Sequence, residues 1–150
     1  MSIAFAGKHG ATEIRWIVWA LLRDNVQHHL EGGRETNAFR LLHSVSAVFR
    51  GDVVSLPAAP FNKELRTVQD ALRRLPVDQL AMTSRTRSVI SFQWPAAPTT
   101  TSEVVGPLAE FGTLVTNAAT VGDVFEGTLD DLCAMTRDAG PDERIEIFDS

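Results

Sequence analysis

The chain has 150 residues, 44% of them apolar and 22% charged, with a formal net charge of −5. That composition suits one folded domain over residues 1–150 and excludes wholesale disorder, collagen-like repetition and, with Cys133 as the single cysteine, a disulfide scaffold. Twelve Lys and Arg against eight Asp and Glu give residues 1–102 a net of +4, whereas residues 103–150 hold two arginines against eleven acids, a net of −9. This acidic third repels phosphates, which argues against nucleic acid as its partner, and suits a basic protein surface.

Membrane insertion is not expected. The longest wholly apolar run, Trp16 to Leu22, is far short of the about 20 residues that a bilayer requires. The amino terminus lacks the basic region and long apolar stretch of a secretory signal, so a cytoplasmic location is the expectation.

In chain order, residues 2–6 read as a short strand with Ile3 and Phe5 on one face, followed by a turn over Gly7 to Gly10. Thr12 offers an N-cap, with Glu13 in the first turn, for a long helix reaching Glu31 and stopped by Gly32-Gly33. Its apolar arc is broad: Ile14, Ile17, Val18, Leu21 and Leu22, widened by Trp16 and Trp19. Glu13, Arg23, Asp24 and Gln27 form a narrow polar sector. Thr36 caps a second helix that runs to Arg50 and stops at Gly51. Phe39, Leu42, Val45, Ser46 and Phe49 make its packing face, and Arg40, His43, Ala47 and Arg50 make a thin basic stripe on the other.

Pro57 and Pro60 break the chain, and Pro60 suits the first turn of a third helix. There Phe61, Leu65, Val68, Leu72 and Leu75 follow at spacings of four, three, four and three, the cleanest amphipathic pattern in the sequence, closed by Pro76. A short helical turn is expected within Val77 to Met82. Strands are expected at Arg87 to Trp94, at Leu114 to Thr116 and at Arg144 to Phe148, with a Pro- and Thr-rich loop from Pro95 to Ser102. Asp123 to Asp138 reads as a fourth helix. The fold class is therefore α+β: about four helices on a small three- or four-stranded sheet, the helices mostly N-terminal.

No residue pattern announces catalysis. His28 and His29 are adjacent and diverge on a helix, where paired metal ligands need spacings of three or four, so no metal is expected. His29 and Asn25 fall on the apolar arc and read as hydrogen-bonded polar groups. A ligand or enzyme site near His28 and His29 is the alternative reading, and a homodimeric adaptor paired through the tryptophan side of the first helix is another. Cys133, between Leu132 and Ala134, reads as a small buried hydrophobe. The chain has no Gly-x-Ser-x-Gly turn and no glycine-rich phosphate loop, so no cofactor is expected. Ser84-Arg85-Thr86-Arg87 reads as a polar entry to a strand.

The fourth helix is more informative. With Phe125 at zero on a helical wheel, Leu129, Leu132 and Thr136 fall beside it, while Asp123, Glu126 and Asp130 face away. Carboxylates on a helix face, with Trp94 and Phe111 as aromatic anchors, are one way to occupy a basic cleft on a partner.

The order of these pieces resembles a family of small bacterial immunity proteins from polymorphic-toxin systems, of the contact-dependent or type VI secretion kind. The points of similarity are Leu30-Glu31 before a glycine turn, Phe39 leading to Phe49-Arg50-Gly51, and Lys63-Glu64-Leu65 followed by Ala71-Leu72-Arg73-Arg74-Leu75-Pro76. Near the end come Leu114-Val115-Thr116-Asn117, Val124-Phe125 and Ile145-Glu146-Ile147. The similarity spans roughly residues 12–148. It implies a cytoplasmic antidote that binds one cognate secreted toxin and is not an enzyme. Asp123, Glu126, Asp130, Trp94 and Phe111 are then the candidate partner-binding residues.

Overall fold

The computed structural model describes residues 2–83, 86, 103–104 and 118–150. In chain order the elements are β1 (Ser2–Gly7), β2 (Gly10–Arg15), α1 (Trp16–Leu30), α2 (Arg40–Ser44), β3 (Val54–Pro57), α3 (Ala58–Leu72), β4 (Ala81–Met82), β5 (Glu103–Val104), α4 (Val121–Val124), α5 (Glu126–Thr136) and β6 (Arg144–Asp149). Short 3-10 turns cover Asn37–Phe39, Val45–Arg50 and Val77–Gln79. The class is α+β. Strands β1 and β2 precede the first helix, and α1, α2 and α3 all lie in the first half of the chain. The chain divides into two compact units interleaved in sequence. The first comprises Met1–Trp16, Glu35–Val68 and Gly127–Ser150, and the second Ile17–Arg34 and Gln69–Glu126.

The first unit holds a four-stranded antiparallel sheet in the order β2-β1-β6-β3. Residues 10–15 are a strand, where a helix is expected from Thr12. Thr12 pairs with Phe5 and Ile14 with Ile3, across a two-residue loop of Lys8 and His9. Gly10, at φ +139, adopts a backbone conformation that side chains disfavour. The alternation of Thr12 and Ile14 with exposed Ala11, Glu13 and Arg15 is the signal for this strand. The run from Thr12 to Trp16 is short enough to satisfy either period. Strand β3 is absent from the sequence reading for a similar reason: four residues, ending in a proline, leave little pattern.

One sheet face is apolar and buried: Ile3, Phe5, Ile14, Leu56, Ile145 and Ile147. The chain's two terminal strands are the central pair, joined over Ile3–Ala6 and Glu146–Asp149. Helix α3 keeps its expected form, with Pro60 in the first turn and Phe61, Leu65, Val68 and Leu72 fully buried. Burying the three aliphatic side chains of the last group stabilises the fold by roughly 5–9 kcal/mol before chain entropy is subtracted. Polar side chains of α3 also tie neighbours down. Asn62 Nδ2 donates to the Cys133 carbonyl at 3.2 Å and to Thr136 Oγ1 at 3.0 Å. Glu64 accepts from the backbone N–H groups of Leu41 (3.3 Å) and Leu42 (3.0 Å). That carboxylate does the work of an N-cap for α2, whose own cap residue, Phe39, makes no side-chain bond.

The helix expected over residues 36–50 is a succession of 3-10, α and 3-10 turns. Thr36 Oγ1 accepts from Ala38 N–H, and Gly51 at φ +87 ends the run, both as its residue types predict.

In the second unit, α1 ends where Gly33 N–H donates to the Gln27 carbonyl at 2.8 Å. Strand β4 pairs antiparallel with β5. The expected helical turn after Pro76 is the 3-10 turn Val77–Gln79. Pro76 bridges Thr120, with Val77 N–H donating to Ala119 O at 3.1 Å and Val121 N–H to Leu75 O at 2.9 Å. Gly122 sits so close to Arg73 that an added Cβ would lie 2.8 Å from its backbone nitrogen, so only glycine fits. The strands expected at Arg87–Trp94 and Leu114–Thr116, and the loop from Pro95 to Ser102, lie outside the described residues. None of the described helices is long and apolar enough to cross a membrane.

Candidate functional site

The acidic helix face is built from two elements. Helix α4 starts in a capping box: Asp123 N–H donates to Thr120 Oγ1 (3.1 Å), and Asp123 Oδ2 accepts from Thr120 N–H (2.9 Å). The same oxygen accepts from Ala119 N–H at 2.9 Å. These backbone donors hold the Asp123 carboxyl below its ordinary range, with Thr120 N–H the largest cause. Phe125, at φ −108 and ψ 9, then interrupts the chain before α5. A single helix over Asp123–Asp138 is therefore replaced by two, and Asp123 leaves the wheel shared by Glu126 and Asp130. Its carboxylate is exposed and engaged in the cap.

Helix α5 follows the expected pattern. Leu129, Leu132 and Thr136 are buried, while Glu126, Asp130 and Asp131 are exposed. Thr136 Oγ1 donates to Leu132 O at 2.8 Å, which satisfies a hydroxyl that the packing face would otherwise strand. Cys133 is buried, as its apolar neighbours imply. Trp94 and Phe111 lie outside the described residues.

The residues around His28 and His29 are engaged in structure. Asn25 Nδ2 donates to Leu21 O (2.8 Å) and Ala81 O (2.9 Å), and Ala81 N–H donates to Asn25 Oδ1 at 2.8 Å. His29 Nε2 lies 2.7 Å from the Gln79 carbonyl, and desolvation lowers the imidazole's pKa from its ordinary value. The expectation of hydrogen-bonded polar groups on this arc holds for both residues. Asp24, expected in the solvent-facing sector, is buried instead. It accepts from Thr83 N–H at 2.9 Å, and Thr83 Oγ1 lies within 3.3 Å of both carboxylate oxygens. Thr86 N–H donates in turn to Thr83 Oγ1 at 3.3 Å. Desolvation is the largest influence on Asp24 and raises its pKa despite these bonds. The cavity here, lined by Asp24, Gln27, His28, Gly33, Ala81, Met82 and Thr83, is about 40 Å³, the scale of a water site rather than of a substrate.

The basic stripe lies in the first unit. Arg40 and Arg50 are exposed, but His43, expected beside them at the surface, is buried with its Nδ1 3.4 Å from Glu35 Oε1. The reason is that α2 buries three successive positions, Leu41, Leu42 and His43, so it is covered on more than one side and the stripe is not a free face. These residues border a cavity of about 470 Å³.

No group of three or more His, Cys, Asp and Glu residues that could hold a metal occurs among the described residues. No protein-family model, curated protein or solved structure matches this chain.

Proposed function

We propose that this chain is an immunity protein: it binds a cognate protein toxin and neutralises it by covering the toxin's active surface. In this reading it is cytoplasmic, is not an enzyme and uses no cofactor. The observation that carries it is helix α5, which buries Leu129, Leu132 and Thr136 and turns Glu126, Asp130 and Asp131 outward from a firmly packed support. Rigid display of carboxylates favours fast, salt-sensitive association with a basic surface. The resemblance in order of elements and the acidic balance of residues 103–150 point the same way. The alternative of a site at His28 and His29 is disfavoured by a water-sized cavity and by the backbone partners of Asn25 and His29.

The test is calorimetric titration against the toxin domain encoded beside this gene, together with rescue of cells expressing that toxin. Saturable binding with rescue supports the reading, and absence of both removes it. Within it, Glu126→Lys combined with Asp130→Lys should slow association and flatten its salt dependence while leaving stability within about 0.5 kcal/mol. Unchanged association rates across a salt series would move the interface off α5. Asp123 is kept out of this test because its charge also caps α4.

A further inference from the structure

The basic cavity of the first unit has no part in the toxin-binding reading, and its chemistry is specific. Among the described residues its lining includes Glu35, Thr36, Asn37, Arg40, His43, Ala47 and Arg50. Its volume of about 470 Å³ lies within the range of small-ligand sites. Its lining differs from a typical one, since Ala47 is the only apolar residue and the one aromatic ring, the His43 imidazole, is buried. A ligand here gains little from apolar burial and finds no Phe, Tyr or Trp on which a nucleobase would stack. What the walls offer is charge and hydrogen bonding. Two guanidiniums stand against one carboxylate, and that carboxylate lies 3.4 Å from the buried His43 imidazole, at the distance of an ion pair when the ring is protonated. Thr36 and Asn37 add polar groups at the amino-terminal end of the run.

The spacing of the arginines narrows the ligand further. Arg40 and Arg50 stand at the two ends of a run of α then 3-10 turns. Both residues are exposed and line the same cavity, one from each end of the run. A guanidinium grips an oxyanion with paired donors in one plane. We propose that this cavity binds a small, non-aromatic dianion whose two oxyanion groups, phosphate or carboxylate, are held separately by Arg40 and Arg50.

Isothermal titration of the full chain with pyrophosphate and with citrate tests this, with inorganic phosphate as the single-anion reference at constant ionic strength. Saturable binding of pyrophosphate or citrate, about tenfold tighter than phosphate, is the expected result, and the preferred probe identifies the oxyanion. Arg40→Ala and Arg50→Ala should each weaken that binding by about tenfold or more. Arg15→Ala, at an exposed strand residue outside the cavity lining, should leave it unchanged. Ala47→Glu introduces a like charge into the cavity and should abolish binding while circular dichroism stays native. No saturable binding of either dianion overturns the proposal. So does loss of binding in Arg15→Ala equal to that in Arg40→Ala, which would mark general charge screening.

Discussion

Helices α1 and α3 are both fifteen residues long, yet they hold their places in opposite ways. In α3 one stripe of Phe61, Leu65, Val68 and Leu72 is buried, and Lys63, Arg66, Thr67 and Asp70 face solvent. In α1 the buried positions cover more than half of the circumference, leaving the sector of Trp16, Ala20, Arg23 and Gln27, and they include Asp24 and Asn25. His28 is the one exposed side chain of α1. An apolar stripe accepts any partner of suitable shape, whereas a buried carboxamide must meet particular donors and acceptors. Asn25 does so by bonding both backbone groups of Ala81, much as a neighbouring strand would. The lesson is that α3 supplies stability through area, and α1 supplies register through hydrogen bonds.

The largest expected effect tests the first half of that contrast. Leu65→Ala removes a fully buried side chain from α3 and should cost about 2–5 kcal/mol by urea denaturation. A cost under 1 kcal/mol would mean that α3 is not held by its stripe. Asn25→Leu tests the second half. It conserves approximate volume but strands the N–H and carbonyl of Ala81, and should cost about 2–4 kcal/mol. Faster amide exchange at Ala81 should accompany it. A neutral outcome would show that the hydrogen bonds of α1 specify nothing.

Thr120→Ala removes the hydroxyl that accepts from Asp123 N–H and should cost about 1 kcal/mol. Its effect should stay local to α4 in hydrogen exchange, since a cap secures one helix end rather than a core.

The smallest effect is a difference in pH dependence. The folded state raises the pKa of Asp24 above 3.8, so it binds that proton more tightly than the unfolded chain does. Stability from this residue is therefore lost as pH rises from 3.8 through the folded value. His29 acts oppositely: its lowered pKa means that stability is lost as pH falls from 6.5 through its folded value. Asp24→Asn removes only the first of these. Relative to the parent, the variant should gain stability between about pH 4 and pH 7, read from urea midpoints at both values. A gap that does not change with pH would place the Asp24 carboxylate in water.

The same contrast explains what could be read in advance. The stripe of α3, the outward carboxylates Glu126 and Asp130, the cap at Thr36 and the stop at Gly51 depend on neighbours a few residues away, and all were legible. The inward turn of Asp24 and His43 was not. Asp24 is held by Thr83, 59 residues on, and that partner cannot be inferred from the periodicity of α1. His43 is covered because α2 buries three successive positions, which no single apolar stripe announces. Asp123 was legible as an exposed acid but not as a cap, since the break at Phe125 separates it from the wheel of α5.

Sequence by itself determined the α+β class, the placement of glycine and proline stops, and the apolar faces of α3, α5 and the terminal strands. These follow from local sterics and from burial at a fixed period. Tertiary structure alone decided that residues 10–15 form a strand, that the two ends of the chain are central neighbours in the sheet, and that buried polar groups on α1 are satisfied by β4 and the residues beside it. The first rests on pairing with β1 across a two-residue loop, and the other two on hydrogen bonds to distant segments. A backbone or side-chain donor is indifferent to sequence separation and responds only to what folding brings within about 3 Å.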